Sequence, residues 1–242
     1  MKRLIPTLLL MLFFSTTATM ACHRENPPYV TVDGIHYAYE IRGKEVCDVF
    51  VYGFETAQDS IVLPTEVTIK GEKHKVKSVY IPNEYPSFLK IKTSSPKILV
   101  IPDGYIDISM LTLPGLEKLY ISKSVASVHD ICTSEYAAIS CGKLKEIIVD
   151  PENMDYCSIE GILYTKDKEA LLKYPPLRRE KSFTIPSHVK TIHINAFHSC
   201  NLKKIFYPKS RKLQSYDQFD AEDIKELREH IGVAKKVVFL PK

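Results

Sequence analysis

A short apolar stretch that ends at a proline returns many times along this 242-residue chain, and that recurrence limits the fold more than any other feature. The proline, or Ser122 in its place, falls at residues 64, 82, 102, 122, 151, 186 and 208, giving steps of 18, 20, 20, 29, 35 and 22. Steps near 20 are those of stacked repeats, in which no unit can bury its own apolar face and neighbours share a continuous core. The longer steps read as units with insertions.

The spacing inside one unit predicts its parts. In "KKIFYP" and "KEIIVDP" a β-rich run stops at a residue that cannot donate a ladder hydrogen bond, as expected at a strand end. After the proline, "SHVKTIHINAF" offers Val189, Ile192, Ala196 and Phe197 for burial and turns Ser187, His188, Lys190, Thr191 and His193 outward. Aligning "AFHSCNLKKIFYPKS" (196–210) with "AISCGKLKEIIVDPEN" (138–153) places Cys200 on Cys141, which predicts that both thiols pack inward.

The flanks differ from the middle. "YVTVDGIHYAYEI" alternates apolar residues around Asp33-Gly34, a hairpin signal, and Gly71 in "VTIKGEKHKVKSV" marks a second turn. Residues 22–60 are therefore expected to form a β-rich N-terminal cap. At the other end, "FDAEDIKELREHIG" predicts a helix over about 220–231, with Asp220 as N-cap and Gly232 as stop, followed by a strand over about 235–240. Together, 211–242 read as a C-terminal cap covering an open edge.

"FTIPSHVKTIHINAFHSCNLKKIFYP" resembles the BspA-like leucine-rich repeat, with its I-x-I-P strand, V-x-x-I segment, A-F-x-x-C turn and L-x-x-I step. "NMDYCSIEGILYTKDKEALLKYPP" (153–176) is similar to a hairpin-bearing variant of that unit, carrying N-x-x-Y-x-S-x-x-G-I-L-Y. The resemblance is close over 138–208 and looser over 60–137. It implies a mainly β, leucine-rich-repeat-like solenoid of short stacked strands over 61–210, with an irregular centre and the 153–176 hairpin projecting from it. It also implies an exported bacterial surface protein, often lipid-anchored and commonly assigned to adhesion or host-protein binding.

The first 21 residues have a basic start, an apolar run over 4–14 and a small-residue stretch, the plan of a secretory signal too short to span a bilayer. Cys22 follows where a lipoprotein carries its lipid, with ordinary cleavage after Ala21 as the alternative. Either route sends the chain to the outer membrane, the cell surface, the periplasm or the medium. Without Lys2 and Arg3, 31 basic residues face 29 acidic ones, a balance that gives no electrostatic case for nucleic acid. Cys47, Cys132, Cys141, Cys157 and Cys200 contain no C-x-x-C pair, so the expectation is mostly reduced, buried thiols.

No residue set here points to catalysis, a cofactor or a metal. His188, His193 and His198 recur every five residues, which in a strand puts successive rings on opposite faces. "SSPK" and "SHVK" match a nucleophilic S-x-x-K without opening a helix, and the acidic residues at 217–223 fit helix capping without the spacing of a calcium loop. Tyrosines on strands are expected mainly in the core; those left over would present a recognition face, and Tyr164, Tyr174, Arg178 and Arg179 are its candidate residues. The expected function is a non-catalytic surface module binding a protein or glycan. The alternative is a structural or accessory envelope lipoprotein with no soluble ligand.

Overall fold

The computed structural model describes residues 27–82, 94–131, 141–194, 196–208, 214–215, 228–229 and 231–241. The expected export segment 1–21, Cys22, Cys132 and most of the expected helix over 220–231 lie outside them. The chain opens with β1 (Tyr29–Val32) and β2 (Ile35–Arg42), antiparallel in the register Val32 to Ile35. Asp33 (φ 50°) and Gly34 (φ 75°) close the turn between them, both in the left-handed region a two-residue hairpin demands. Strand β3 (Glu45–Phe54) pairs antiparallel with β2; β4 (Ser60–Val62) follows, and β5 (Glu66–Ile69) and β6 (Glu72–Ile81) form a second hairpin turning at Lys70 and Gly71.

From there the chain coils. Strands β7 (Ile98–Ile101), β9 (Lys118–Ile121) and β11 (Glu146–Val149) line up in parallel behind β4, so Ile61, Leu99, Leu119 and Ile147 form one buried column. Strands β8 (Asp107–Leu111) and β10 (Ser127–Ile131) lie between them in sequence and join β3 and β6 in a second parallel ladder. Each coil thus contributes one strand to each of two sheets, whose apolar sides share a single core. Leu116 and Leu144 close equivalent turns, their N–H groups donating to Leu113 and Cys141.

This arrangement corrects the repeat count at one mark. Ile81-Pro82 ends β6, which belongs to the second ladder, whereas residues 64, 102, 122 and 151 follow strands of the first. The step from β4 to β7 is therefore a single long one, filled by the β5–β6 hairpin. Apolar-x-apolar-proline reads alike in either ladder, since both bury alternate residues.

The hairpin unit departs further from expectation. Strands β12 (Tyr156–Ile159), β13 (Ile162–Thr165) and β14 (Ala170–Lys173) form a meander that β16 (Thr191–Ile192) and β18 (Gln214–Ser215) extend in parallel. Far from projecting, β13 and β14 are buried on both faces: Leu163, Ala170 and Leu172 face the first core, and Ile162, Tyr164 and Leu171 a second one. The runs "ILY" and "ALLK" wall the two cores apart because they lack a polar side to give to water.

Beyond this wall, β15 (Ser182–Thr184), β17 (Lys204–Tyr207) and β19 (Val238–Pro241) make a three-stranded parallel ladder over the second core. Val189, Ile192, Ala196 and Phe197 are fully buried there, while Ser187, His188 and Lys190 are exposed and Thr191 and His193 half-buried. Arg228 and Glu229 have helical backbone, and the Arg228 guanidinium donates to the carbonyls of Ala234, Lys235 and Val237 at 2.7–2.8 Å, bringing the chain into β19. The observed strand starts three residues later than expected.

Candidate functional site

Strands β11 and β15 would be ladder neighbours in an unbroken stack, but the meander separates them. Its β12–β13 turn takes the place beside β11: the Ile147 N–H donates to the Gly161 carbonyl at 3.0 Å. Glycine suits position 161, where φ is +77° and a Cβ would lie 2.9 Å from Glu146 Cγ and 3.4 Å from Arg178 Nη1. The segment Tyr174-Pro175-Pro176-Leu177 bridges the rest of the gap. The Leu177 N–H donates back to Leu144 (2.8 Å), and Pro176 accepts from the Asn201 N–H of the next coil (2.9 Å).

A cleft of about 340 Å³ opens at this break, walled by the β12–β13 turn on one side and β15 on the other. Tyr164 and Tyr174 reach it, each only 1% exposed. Arg178 lies above Tyr174, with Cζ 5.6 Å from the ring centre, and binds Glu180 through two hydrogen bonds of 2.9 and 3.1 Å. Glu160 stands 3.9 Å from the same guanidinium, with 81% of its side chain exposed. Tyr174 also packs on Phe183 and Phe197, at centroid distances of 5.0 and 5.7 Å.

Burial sets the electrostatics of the site. It pushes the Tyr174 phenol up to about 12 against the opposing pull of Arg178, and it raises Tyr164 as well. The Tyr174 hydroxyl is shielded from water, and its O–H has no acceptor among the described residues. Glu180 is held below the ordinary carboxylate range by its own backbone N–H and by Arg178. Such an arrangement offers an ion pair and aromatic surface, and the imidazoles hydrogen-bonded to hydroxyls, Thr31–His36 (2.8 Å) and His198–Ser199 (3.1 Å), do not line it.

Of the four candidate residues, Tyr164, Tyr174 and Arg178 meet in the cleft, whereas Arg179 is exposed and outside its lining. The tyrosines are not an exposed recognition face, because β13 and the end of β14 lie inside the wall between the cores. Glu160, Glu180, Ser182 and Thr184 also line the cleft. Sequence reading missed them for want of any signal that the ladder breaks at β11, although "GILY" and "ALLKY", apolar on both sides, hint at it.

The other candidate chemistry resolves into structure. His188 is exposed, His193 Nδ1 lies 2.8 Å from the Ile194 carbonyl, and none of the three repeat histidines joins a ligand cluster among the described residues. Glu40, Cys47 and Asp48 do cluster, but the Arg42 guanidinium lies 3.6 Å from Glu40 and 2.8 Å from Asp48, supplying the positive charge itself. Ser94 and Ser95 of the S-x-x-K match accept from the Thr56 and Gly115 N–H groups, fixing turns. Cys141 and Cys200 are buried, the Cys141 Sγ lying 3.4 Å from the Leu111 carbonyl, and Cys47 and Cys157 are half-buried.

No family model matches the chain, and no curated protein does. Among solved structures, it is similar to a leucine-rich repeat protein from Eubacterium ventriosum, at 16% identity and a TM-score of 0.40, over 88% of this chain and 67% of that one. Its structural neighbours are bacterial leucine-rich repeat proteins. A leucine-rich cell surface protein from Faecalibacterium prausnitzii matches at 16% identity and a TM-score of 0.28, over 77% of this chain and 72% of its own. The pneumococcal vaccine antigen PcpA matches at 15% identity and the same TM-score, over 78% and 66%. The candidate cleft stands on this chain's own geometry.

Proposed function

We propose that the protein is an exported, surface-displayed repeat protein of BspA-like type that binds a protein or glycan, without catalysis, at the cleft between the meander and β15. The observation that carries this reading is the break itself: a stack that could have run on from β11 to β15 instead holds a lined opening with an ion pair and two tyrosines. In the same proposal the stack is a solenoid of short coils, β1–β3 cover its first edge, the C-terminal segment covers its last, and lipid on Cys22 holds it at the membrane. Metabolic labelling with a fatty acid tests the anchor, with label expected on the wild type and absent from Cys22→Ala.

Deleting 153–176 is not a usable test of the cleft, because that segment walls both cores. Arg178→Ala is the better probe. Wild type and variant are applied to a glycan array and to purified extracellular matrix proteins by interferometry. A ligand held by the wild type and lost by Arg178→Ala supports the cleft, and one held equally by both, with the variant folded, removes it.

A further inference from the structure

Strand β15 begins the ladder β15–β17–β19, so among the described residues only one of its edges is paired. Along a parallel strand, alternate residues aim their backbone groups to opposite sides. The Ile185 N–H donates to Phe206 (2.8 Å), and the Lys181 carbonyl accepts from Lys203 and Lys204 (2.7 and 3.1 Å), so residues 181, 183 and 185 serve β17. Ser182 and Thr184 therefore turn their N–H and C=O groups away from β17, toward the cleft. The lining agrees, since Ser182, Phe183 and Thr184, whose side chains alternate between faces, all contribute to it. Strand β11 cannot close this edge because the Gly161 turn lies between.

We propose that the free edge of β15 takes up an extended segment of a partner protein, about three residues long, in which basic and apolar side chains alternate. This rests on reading the cleft as a binding site, and it names the occupant. An unpaired edge is a template for another strand, and binding by strand addition draws affinity from the backbone and specificity from the pockets alongside. Three residues at about 3.3 Å each, roughly 10 Å, match the length of β15. The lining sets two carboxylates, Glu160 and Glu180, against one guanidinium, so a lysine or arginine in the incoming strand restores balance. Phe183 and Ile162 provide apolar walls. The edge is only three residues long and ends near Pro186, which limits pairing between copies of the chain itself.

The test selects a phage-displayed library of random seven-residue peptides on the wild-type protein. Recovered peptides are synthesised with N-methyl groups at alternate amides, in each of the two registers. Fluorescence polarisation then measures their affinities for wild type and Thr184→Pro. Thr184→Pro removes an N–H aimed at the cleft and leaves the bonds to β17; a melting curve checks that the variant folds, and if it does not, the N-methyl series on wild type decides alone. Expected are sequences alternating Lys or Arg with apolar residues, a loss of roughly tenfold or more from N-methylation in one register only, and roughly tenfold from Thr184→Pro, the worth of one hydrogen bond. Equal binding after methylation in both registers overturns the proposal, as does recovery of no peptide above a blank surface. If no peptide is recovered but glycans bind wild type and not Arg178→Ala, strand addition falls and the cleft survives as a binding site. If neither class of ligand binds, both readings fall.

Discussion

Replacing Asn153 by alanine should unfold this protein about 10 °C early, because that single side chain ties the meander to the coil before it. Asn153 is fully buried. Its Nδ2 donates to the carbonyls of Ser122 (2.8 Å) and Val125 (2.9 Å), in the turn after β9, while its Oδ1 accepts from the N–H groups of Asp155 (2.9 Å) and Tyr156 (2.8 Å). Alanine takes the partner from four backbone groups, the Val125 carbonyl buried and the other three part-buried. At about 1 kcal/mol of net stability per hydrogen bond, with some recovered by a water entering the space, the loss is about 3 to 4 kcal/mol. For a chain of this size each kcal/mol moves Tm by roughly 2–4 °C. Urea unfolding followed by far-ultraviolet circular dichroism measures the free energy. Asn153→Asp gives a second handle: it keeps the acceptors but faces an ionised carboxylate with two carbonyls. Burial and those carbonyls raise the folded carboxyl above its unfolded value, so the folded state binds the proton more tightly, and stability lost at pH 7 should return as pH falls through the raised value. An alanine variant within 1 kcal/mol of wild type, or an aspartate variant indifferent to pH between about 7 and 4, refutes the reasoning.

Three further outcomes follow from the same structure. Leu171→Ala, at a fully buried site in the wall, should cost about 2–5 kcal/mol and still give one unfolding transition, since both cores share that wall; a biphasic urea curve would count against it. Tyr37 and Tyr174, both raised by burial to about 12 from 10.0, stay protonated in the folded state while the unfolded chain ionises, so stability should decline as pH rises from about 10 to 12. Ultraviolet titration should then show these two phenols ionising late or only on unfolding, and free titration near 10 would contradict their burial. Cys141 and Cys200 should resist iodoacetamide in the native protein and react after denaturation, as read by peptide mass spectrometry; burial raises the Cys200 thiol in addition to blocking access, and prompt native labelling of either would displace it from the core.

Much of the stack was legible because its determinants are local. The alternation of Val189, Ile192, Ala196 and Phe197, the equivalence of Cys141 with Cys200, and the turns at Asp33-Gly34 and Lys70-Gly71 each express a rule that acts within a few residues. The motif N-x-x-Y-x-S also acquires a mechanism. Asn153 brackets the preceding turn, the Tyr156 hydroxyl accepts from the Val128 N–H (3.0 Å) and the Ser158 hydroxyl accepts from the Val149 N–H (3.0 Å). What escaped was assignment between equivalent places. Ile81-Pro82 has the pattern of either ladder, and only the long β5–β6 hairpin decides which it joins. The cleft was half legible, since Tyr174 and Arg178 were chosen for composition, whereas Glu160, Glu180 and the edge of β15 depend on which strand ends up without a neighbour.

That dependence explains why a binding site would arise here and not along the regular coils. Strands β7, β8 and β9 each have a neighbour on both sides, and cross-coil pairs such as Lys97–Asp59 (2.7 Å) and Lys145–Glu117 (2.6 Å) lie on a surface beside backbone that is already paired. Exposed pairs of that kind contribute little and offer a ligand little. Inserting the meander changes this balance at one place. Two apolar strands inside the stack add a wall that both cores need, so the insertion is held firmly, yet its turn must displace one ladder neighbour. The displaced edge is β15, and the groups gathered around it, a buried phenol, a guanidinium between two carboxylates and an aromatic cluster, are those that the wall's own residues bring along.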